Sequence, residues 1–273
     1  MVPRLEGKVA LVTGAARGHG RAHAQRLARE GADIVALDIA GPVDPAVTYA
    51  PSTLDELAQT AKLVEAEDRR VLTVQGDVRE ASDLDRAVAA AEAEFGGIDI
   101  VIANAGVNVV GRTAELDEAA WDAVIDTNLK GVWNTVRAVV PGMVARGRGG
   151  SIVLVSSNAG ISGLTRMSPY VASKHGVTGL ARAFANEYAV HSIRVNSIHP
   201  GSVPGTGMAI SQPLEFTDSE EEALFLLGTR GATLPGTILV EDIAAAAAWL
   251  ASDDARFVTG AQIPIDAGSS AKP

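Results

Sequence analysis

The sequence predicts a single doubly wound α/β domain, a seven-stranded parallel sheet with helices on both faces. Three observations predict it. Short apolar runs alternate with longer amphipathic stretches along the whole chain. Several runs are nearly continuous Val, Ile, Leu and Ala, the pattern of strands covered on both faces. No linker and no internal repeat breaks the alternation, which calls for right-handed crossovers within one sheet.

Strands are expected at 9–13, 33–37, 71–75, 98–103, 151–155, 193–197 and 262–265. Helices are expected at 18–30, 53–68, 82–94, 117–145, 169–190 and 241–252, so that one domain spans 1–273. Two segments depart from the rhythm. Residues 39–53 contain Pro42, Pro45 and Pro51 and cannot be regular helix. Residues 200–240, rich in Pro and Gly with an acidic patch at Glu220-Glu221-Glu222, are expected as a long lid loop. The alanines at 244–248 follow Glu241-Asp242 and precede Trp249-Leu250, an ordinary helix start and core face.

Composition narrows the function classes. The chain has 273 residues, 47% hydrophobic and 21% charged, enough for a large core. Its 33 acidic and 23 basic residues leave a net charge of −10, which disfavours nucleic acid and an anionic membrane surface as partners. Cysteine is absent, so disulfides and thiolate metal sites are excluded. His19, His23, His175, His191 and His199 are given no metal role. The start of the chain carries charges where a signal peptide needs an apolar core, and 243–251 is too short to span a membrane. A cytoplasmic protein is expected.

Thr13-Gly14-Ala15-Ala16-Arg17-Gly18-His19-Gly20 follows the first strand and opens the first helix. Glycines suit a sharp strand-to-helix turn and close backbone approach to a pyrophosphate, and the helix start offers free N–H groups. In this position, between the first strand and the first helix, the loop is expected to bind a dinucleotide. Asp38 ends the second strand 24 residues beyond Gly14, where a carboxylate accepts hydrogen bonds from ribose hydroxyls and repels a 2′-phosphate. Arg17 pulls the other way, but Ile39 leaves the position after Asp38 apolar. NAD is therefore favoured over NADP.

Tyr170 and Lys174 are four residues apart on one helical face, with Ser168-Pro169 as N-cap and first helical residue. A phenol is a poor base at neutral pH. A lysine cation about 4 Å away at an effective dielectric of ~20 contributes roughly 4 kcal/mol toward its ionisation. Ser157 ends a strand 13 residues before Tyr170, where α/β proteins bind ligands. The residues point to proton exchange with a substrate hydroxyl.

Together these residues resemble the short-chain dehydrogenase/reductase family. The glycine loop, Asp77-Val78, Asn104-Ala105-Gly106, Asn128, Ser157, Tyr170-Val171-Ala172-Ser173-Lys174 and Pro200-Gly201 stand in the family's order. The resemblance implies that Tyr170 is the general acid/base and that Ser157 hydrogen-bonds the substrate oxygen. Lys174 would hold the nicotinamide ribose and lower the Tyr170 pKa, and Asn128 would support a water relay to Lys174. Asp77 and Val78 would flank the adenine, Asn104 to Gly106 would line the cofactor floor, and Pro200, Gly201 and Val203 would follow on the nicotinamide side. The resemblance also implies pairing through helices bearing Trp121, Trp133, Leu180 and Phe184, hence a homotetramer.

Three departures stand out. Ala103 replaces the first Asn of Asn-Asn-Ala-Gly, and the threonine expected after Pro200-Gly201 is displaced to Thr206. The 38 residues between Asp38 and Asp77 (39–76) form a longer stretch than the family's. That insertion, with Ala103-Asn104-Ala105-Gly106 and Ser173-Lys174-His175-Gly176, resembles the carveol dehydrogenase branch, described as mycofactocin-coupled. The branch implies a retained NAD, reoxidised by an external redox carrier, with residues 39–53 closing over the adenosine. It also implies a bulky apolar secondary alcohol, a cyclic terpenoid, met by Leu164, Met167, Met208, Ile210, Leu214 and Phe216. The rival expectations are an NADP-dependent ketoacyl reductase of the same fold and a non-catalytic nucleotide sensor.

Overall fold

The computed structural model describes residues 3–208, 216, 219–230 and 233–271. Seven strands make one sheet: β1 (Val9–Thr13), β2 (Asp33–Asp38), β3 (Val71–Gln75), β4 (Ile100–Ala103), β5 (Gly150–Val155), β6 (Ile193–Pro200) and β7 (Gln262–Ile265). All pairs are parallel, in the order β3-β2-β1-β4-β5-β6-β7. The strand order reverses between β1 and β4, which opens a crevice at the carboxyl ends of those strands.

The helices are α1 (Gly18–Arg29), α2 (Leu54–Glu65), α3 (Ala81–Phe95), α4 (Glu118–Ile125), α5 (Gly131–Arg146), α6 (Ser168–Tyr188), α7 (Ser219–Arg230) and α8 (Val240–Ala251). One core lies between the sheet and α1, α2 and α8, with Leu27, Leu57 and Ile243 against Val12 and Ile102. The other lies between the sheet and α3, α5 and α6, with Leu84, Val136 and Val177 against Leu11 and Leu154. Both faces of β1 and β4 are thus buried, which explains their unbroken apolar sequence. Among the described residues, no helix is long and apolar enough to cross a membrane.

The expected strands are all present, with β6 running on to Pro200 and β4 starting at Ile100. Three expectations need correction. The helix expected over 117–145 is two helices joined by a π-turn at Asp126–Lys130, centred on Asn128; such turns insert an extra residue and redirect a side chain. The loop expected over 200–240 contains α7, whose acidic first turn favours a helix start; Ile210 and Leu214 lie outside the described residues. Met167, not Ser168, is the N-cap of α6, and the Ser168 hydroxyl pairs with that of Thr113 at 3.0 Å. Of the residues expected at an interface, Phe184 is buried and stacks on Tyr188, whereas Trp121 and Trp133 are each 43% exposed.

Ile102 is fully enclosed between the two cores. Ile102→Ala is expected to destabilise the fold by about 2–5 kcal/mol, read as a lower midpoint in urea unfolding.

Candidate active site

The crevice at the β1/β4 switch point is a cleft running from Asp38 and Asp77 at one end to Ser157, Tyr170 and Lys174 at the other. Its floor is the glycine loop. Gly14 has φ +67, and an added Cβ would stand 2.9 Å from the Ala105 backbone. A Cβ on Gly20 would fall 1.9 Å from the Gly14 carbonyl oxygen. The loop is braced from β4: the Asn104 side-chain amide donates to the carbonyls of Thr13 and Gly14 at 2.9 and 3.3 Å, and the Thr13 hydroxyl accepts from Asn104 N and Ala105 N. Asn104 thus shapes the floor through its side chain. No side chain caps the start of α1 at Arg17, so the first-turn N–H groups remain available to an anion. Open helix end, glycine cradle and cleft together fit a dinucleotide.

Asp38 is buried, and its carboxylate accepts from Ala16 N at 2.9 Å, Ala40 N at 2.9 Å and the Ser52 hydroxyl at 2.6 Å. The expected ribose acceptor therefore also fastens both ends of segment 39–53. Arg17 is turned the same way. Its guanidinium donates to the carbonyls of Ala50 and Pro51 at 2.5 and 3.4 Å and lies 3.9 Å from Glu56. The pull toward a 2′-phosphate assigned to Arg17 is corrected accordingly: that cation is committed to the protein's own backbone. Segment 39–53 forms a strap along the cleft, through Ile39, Val43, Val47 and Tyr49. It leads into a capping box, in which Thr53 and Glu56 close the start of α2 reciprocally.

At the far end of the strap, the Tyr49 hydroxyl accepts from Asn108 N at 3.2 Å. Tyr49 is enclosed, which pushes its phenol up to about 12, and it lies close enough to Tyr170 for the two to repel as anions. The sequence reading missed Tyr49 and Asn108. The available signal was a lone tyrosine in a proline-rich insertion.

Tyr170 and Lys174 share one face of α6. The Lys174 ammonium is 5.5 Å from the Tyr170 ring centre and donates to the Val155 carbonyl at 2.9 Å. Lys174 is only 2% exposed, and burial lowers it to about 8. The Tyr170 phenol is raised by burial, with a hydrogen bond from Ser157 acting in the opposite direction. In the nucleotide-free cleft the direction is thus set by desolvation, opposite to the lowering expected of Lys174 in the working site. Ser157 Oγ also contacts Asn158 Oδ1 at 3.0 Å and accepts from Ala159 N at 3.1 Å. Beneath it, His199 binds the Ser157 carbonyl at 2.8 Å and the Ser197 hydroxyl at 2.9 Å. The Ser156 hydroxyl donates to the Lys174 carbonyl at 2.9 Å and so braces the helix behind the site.

The side chain of Asn128 is fully engaged. Its Oδ1 accepts from Val107 N at 2.7 Å, and its Nδ2 donates to Val107 O at 2.8 Å and to Ser173 Oγ at 3.1 Å. It therefore ties the strand-end loop to the helix that carries Tyr170 and Lys174. Asp77 and Val78 reach the cleft, with Asp77 paired to Arg79 at 2.6 Å. Gly106, Pro200, Gly201, Val203 and Thr206 also border it, and the Thr206 backbone sits 2.7 Å from where a Cβ on Gly18 would be.

The chain matches the short chain dehydrogenase family over residues 8–215. This chain belongs to that family. As an oxidoreductase of it, the protein is 44% identical to the (-)-trans-carveol dehydrogenase of Rhodococcus erythropolis, over 98% of this chain and 99% of that one. It is 36% identical to the cyclohexanol dehydrogenase of an Acinetobacter strain, over 100% of this chain and 98% of that one. The crystal structure of carveol dehydrogenase from Mycobacterium avium in complex with NAD superposes with a TM-score of 0.91 at 44% identity, covering 99% of this chain and 100% of that one.

The opposing influences on Tyr170 can be read directly. In the nucleotide-free protein, Ser157→Ala is expected to move the Tyr170 phenol still higher, because the hydrogen bond that favours its anion is lost. Ultraviolet difference titration, with Tyr170→Phe to identify the signal, measures the midpoint.

Proposed function

We propose that this protein is an NAD-dependent dehydrogenase that interconverts a secondary alcohol and its ketone, and that Tyr170 is its general acid/base. The observation that carries this reading is the partly buried Tyr170 phenol at the end of the nucleotide cleft, between Ser157 and Lys174. NAD, when bound, supplies the hydride acceptor or donor. Ser157 hydrogen-bonds the substrate oxygen and Tyr170 exchanges the hydroxyl proton. Lys174 holds the ribose side and biases Tyr170 toward its anion, reinforced by the positive charge of the oxidised nicotinamide. Asn128 keeps the α6 face in register with the loop after β4, and so supports proton delivery to Lys174 by positioning. The buried Asp38 carboxylate disfavours a 2′-phosphate, and no free guanidinium at Arg17 compensates for it.

The substrate is read as a bulky apolar cyclic alcohol, of terpenoid type. Relatives bearing the names carveol dehydrogenase and cyclohexanol dehydrogenase favour a ring. Met167 and Met208 near the site supply apolar surface. The same reading has NAD held tightly beneath the strap and reoxidised by an external redox carrier, and the chain assembling as a homotetramer through the exposed Trp121 and Trp133 face. The strap has three anchors: Ser52 to Asp38, Arg17 to Ala50, and Asn108 to Tyr49. Opening the strap breaks these anchors, chiefly the bond to the buried Asp38 carboxylate, and so slows nucleotide exchange relative to an unlatched cleft.

Four outcomes are expected. Tyr170→Phe lowers kcat by about 10²–10⁴-fold while leaving nucleotide binding intact; wild-type turnover in that variant would remove Tyr170 from the chemistry. Alcohol oxidation by the wild type rises with pH and ketone reduction falls, since the phenol must be deprotonated for one direction and protonated for the other. Quantifying the nucleotide released on denaturation is expected to give close to one NAD per chain, and Ser52→Ala to speed its exchange with labelled NAD. A protein isolated empty that turns over freely with added NAD would sink the captive-cofactor reading.

A further inference from the structure

The imidazole of His199 makes two bonds inside the protein, and their chemistry fixes which nitrogen carries the proton. The ring is fully enclosed, with Nδ1 2.8 Å from the Ser157 carbonyl oxygen and Nε2 2.9 Å from the Ser197 hydroxyl. A carbonyl only accepts, so Nδ1 must donate. Burial, the largest influence, lowers the imidazole below its ordinary value; Lys174 and His175 act the same way, against the Ser157 carbonyl and Asp266. The ring is therefore the neutral Nδ1–H tautomer, and its Nε2 accepts the Ser197 proton.

The bond to Ser157 falls where the sheet runs out of backbone donors. The register of β5 and β6 ends at Val155 and Ile198, and one more bond runs from Ser156 N to Ile198 O at 2.9 Å. Pro200 has no N–H with which to continue it. The chain then turns away through Asn158–Gly160, with Gly160 N donating to the Ser157 carbonyl at 2.9 Å. The Thr178 hydroxyl of α6 holds the far side of this turn, donating to the Gly160 carbonyl at 3.2 Å, and His199 holds the near side to β6.

The Ser157 hydroxyl depends on the same turn, since it accepts from Ala159 N at 3.1 Å and meets Asn158 Oδ1 at 3.0 Å. We propose that His199 is a positioning residue for Ser157: by holding the Ser157 carbonyl, it fixes the turn that aims the Ser157 hydroxyl at Tyr170 and at the reacting oxygen. His199 itself lies behind the cleft rather than in its lining. The inference rests on the dehydrogenase reading for the role of Ser157, and adds to it the group that orients that serine.

The two ring nitrogens can be kept one at a time. An asparagine amide reaches about as far as Nδ1, so His199→Asn keeps the donor to Ser157 and gives up Ser197; His199→Gln reaches Ser197 and gives up Ser157. Two readouts are taken on the full chain. One is the Tyr170 phenol midpoint in the empty protein, which the Ser157 hydrogen bond lowers and which needs no substrate. The other is nicotinamide reduction within a single turnover, after NAD-loaded protein is mixed with saturating cyclohexanol or carveol. His199→Gln should raise the phenol midpoint to that of Ser157→Ala and slow hydride transfer about 10–100-fold. His199→Asn leaves the larger cavity and the lower thermal midpoint, yet it should keep the wild-type phenol midpoint and a rate within about threefold of wild type. In a Ser157→Ala background, His199→Gln should change neither readout further. Wild-type values in His199→Gln overturn the assignment. So do losses in the two variants that simply follow their thermal midpoints, or an additive loss in the Ser157→Ala background. A loaded wild type that reduces no nicotinamide, while its Tyr170 midpoint responds to His199→Gln as expected, would instead overturn the dehydrogenase reading and support the coupling of His199 to Ser157.

Discussion

The cleft depends on one carboxylate. Asp38 stands at the end of β2 and accepts from the glycine loop at Ala16, from the chain beyond the strand at Ala40, and from the strap's return at Ser52. Three segments that meet only in space are thereby referred to a single buried anion. Leaving any of these donors unpaired beside a buried charge is costly, so the arrangement is kept as a unit. Ala40, at φ +45, is a non-glycine residue in the left-handed region, and the bond from its N–H to Asp38 helps hold it there. The group proposed to disfavour a 2′-phosphate therefore also sets the path of the insertion. Cofactor choice and strap placement cannot vary independently here.

At the other end of the cleft, burial is the controlling quantity. It raises Tyr170 and lowers Lys174, so each group is pushed toward its neutral form before any ligand arrives. A lysine already aimed at a backbone carbonyl cannot by itself convert a desolvated phenol into a base. In the proposed reaction, the positive charge that would tip this balance is that of the oxidised nicotinamide.

Much of this was legible in the sequence, for identifiable reasons. Strands buried on both faces leave continuous Val, Ile and Leu, and all seven were found. The four-residue spacing of Tyr170 and Lys174, and the position of Ser157 at a strand end, survive translation into three dimensions because local geometry alone determines them. What was hidden depends on tertiary contact. The π-turn at Asn128 leaves no periodicity break strong enough to separate 117–145 into two helices, and it is maintained by the bonds of Asn128 to Val107 and Ser173. The direction of the Tyr170 shift required knowing how much solvent each group loses. Arg17 looked like a phosphate ligand until the strap carbonyls were seen to occupy it.

The two coverings of the cleft are built on different physics. The strap is held by the buried Asp38, which salt barely reaches, and by the more exposed bonds of Arg17 to the Ala50 and Pro51 carbonyls. The first turn of α7, by contrast, is held by charge: Glu221 is bridged by Arg166 at 2.6 Å and Arg112 at 3.1 Å, from the two loops flanking the substrate end. Arg166 is at φ +60, an unfavourable backbone conformation sustained by its bridge to Glu221, by Gly111 N donating to its carbonyl, and by its stacking over Phe216. Partly exposed ion pairs are worth less than buried ones and weaken with ionic strength. The first turn of α7 therefore responds to ionic strength more than the Asp38 anchor of the strap does.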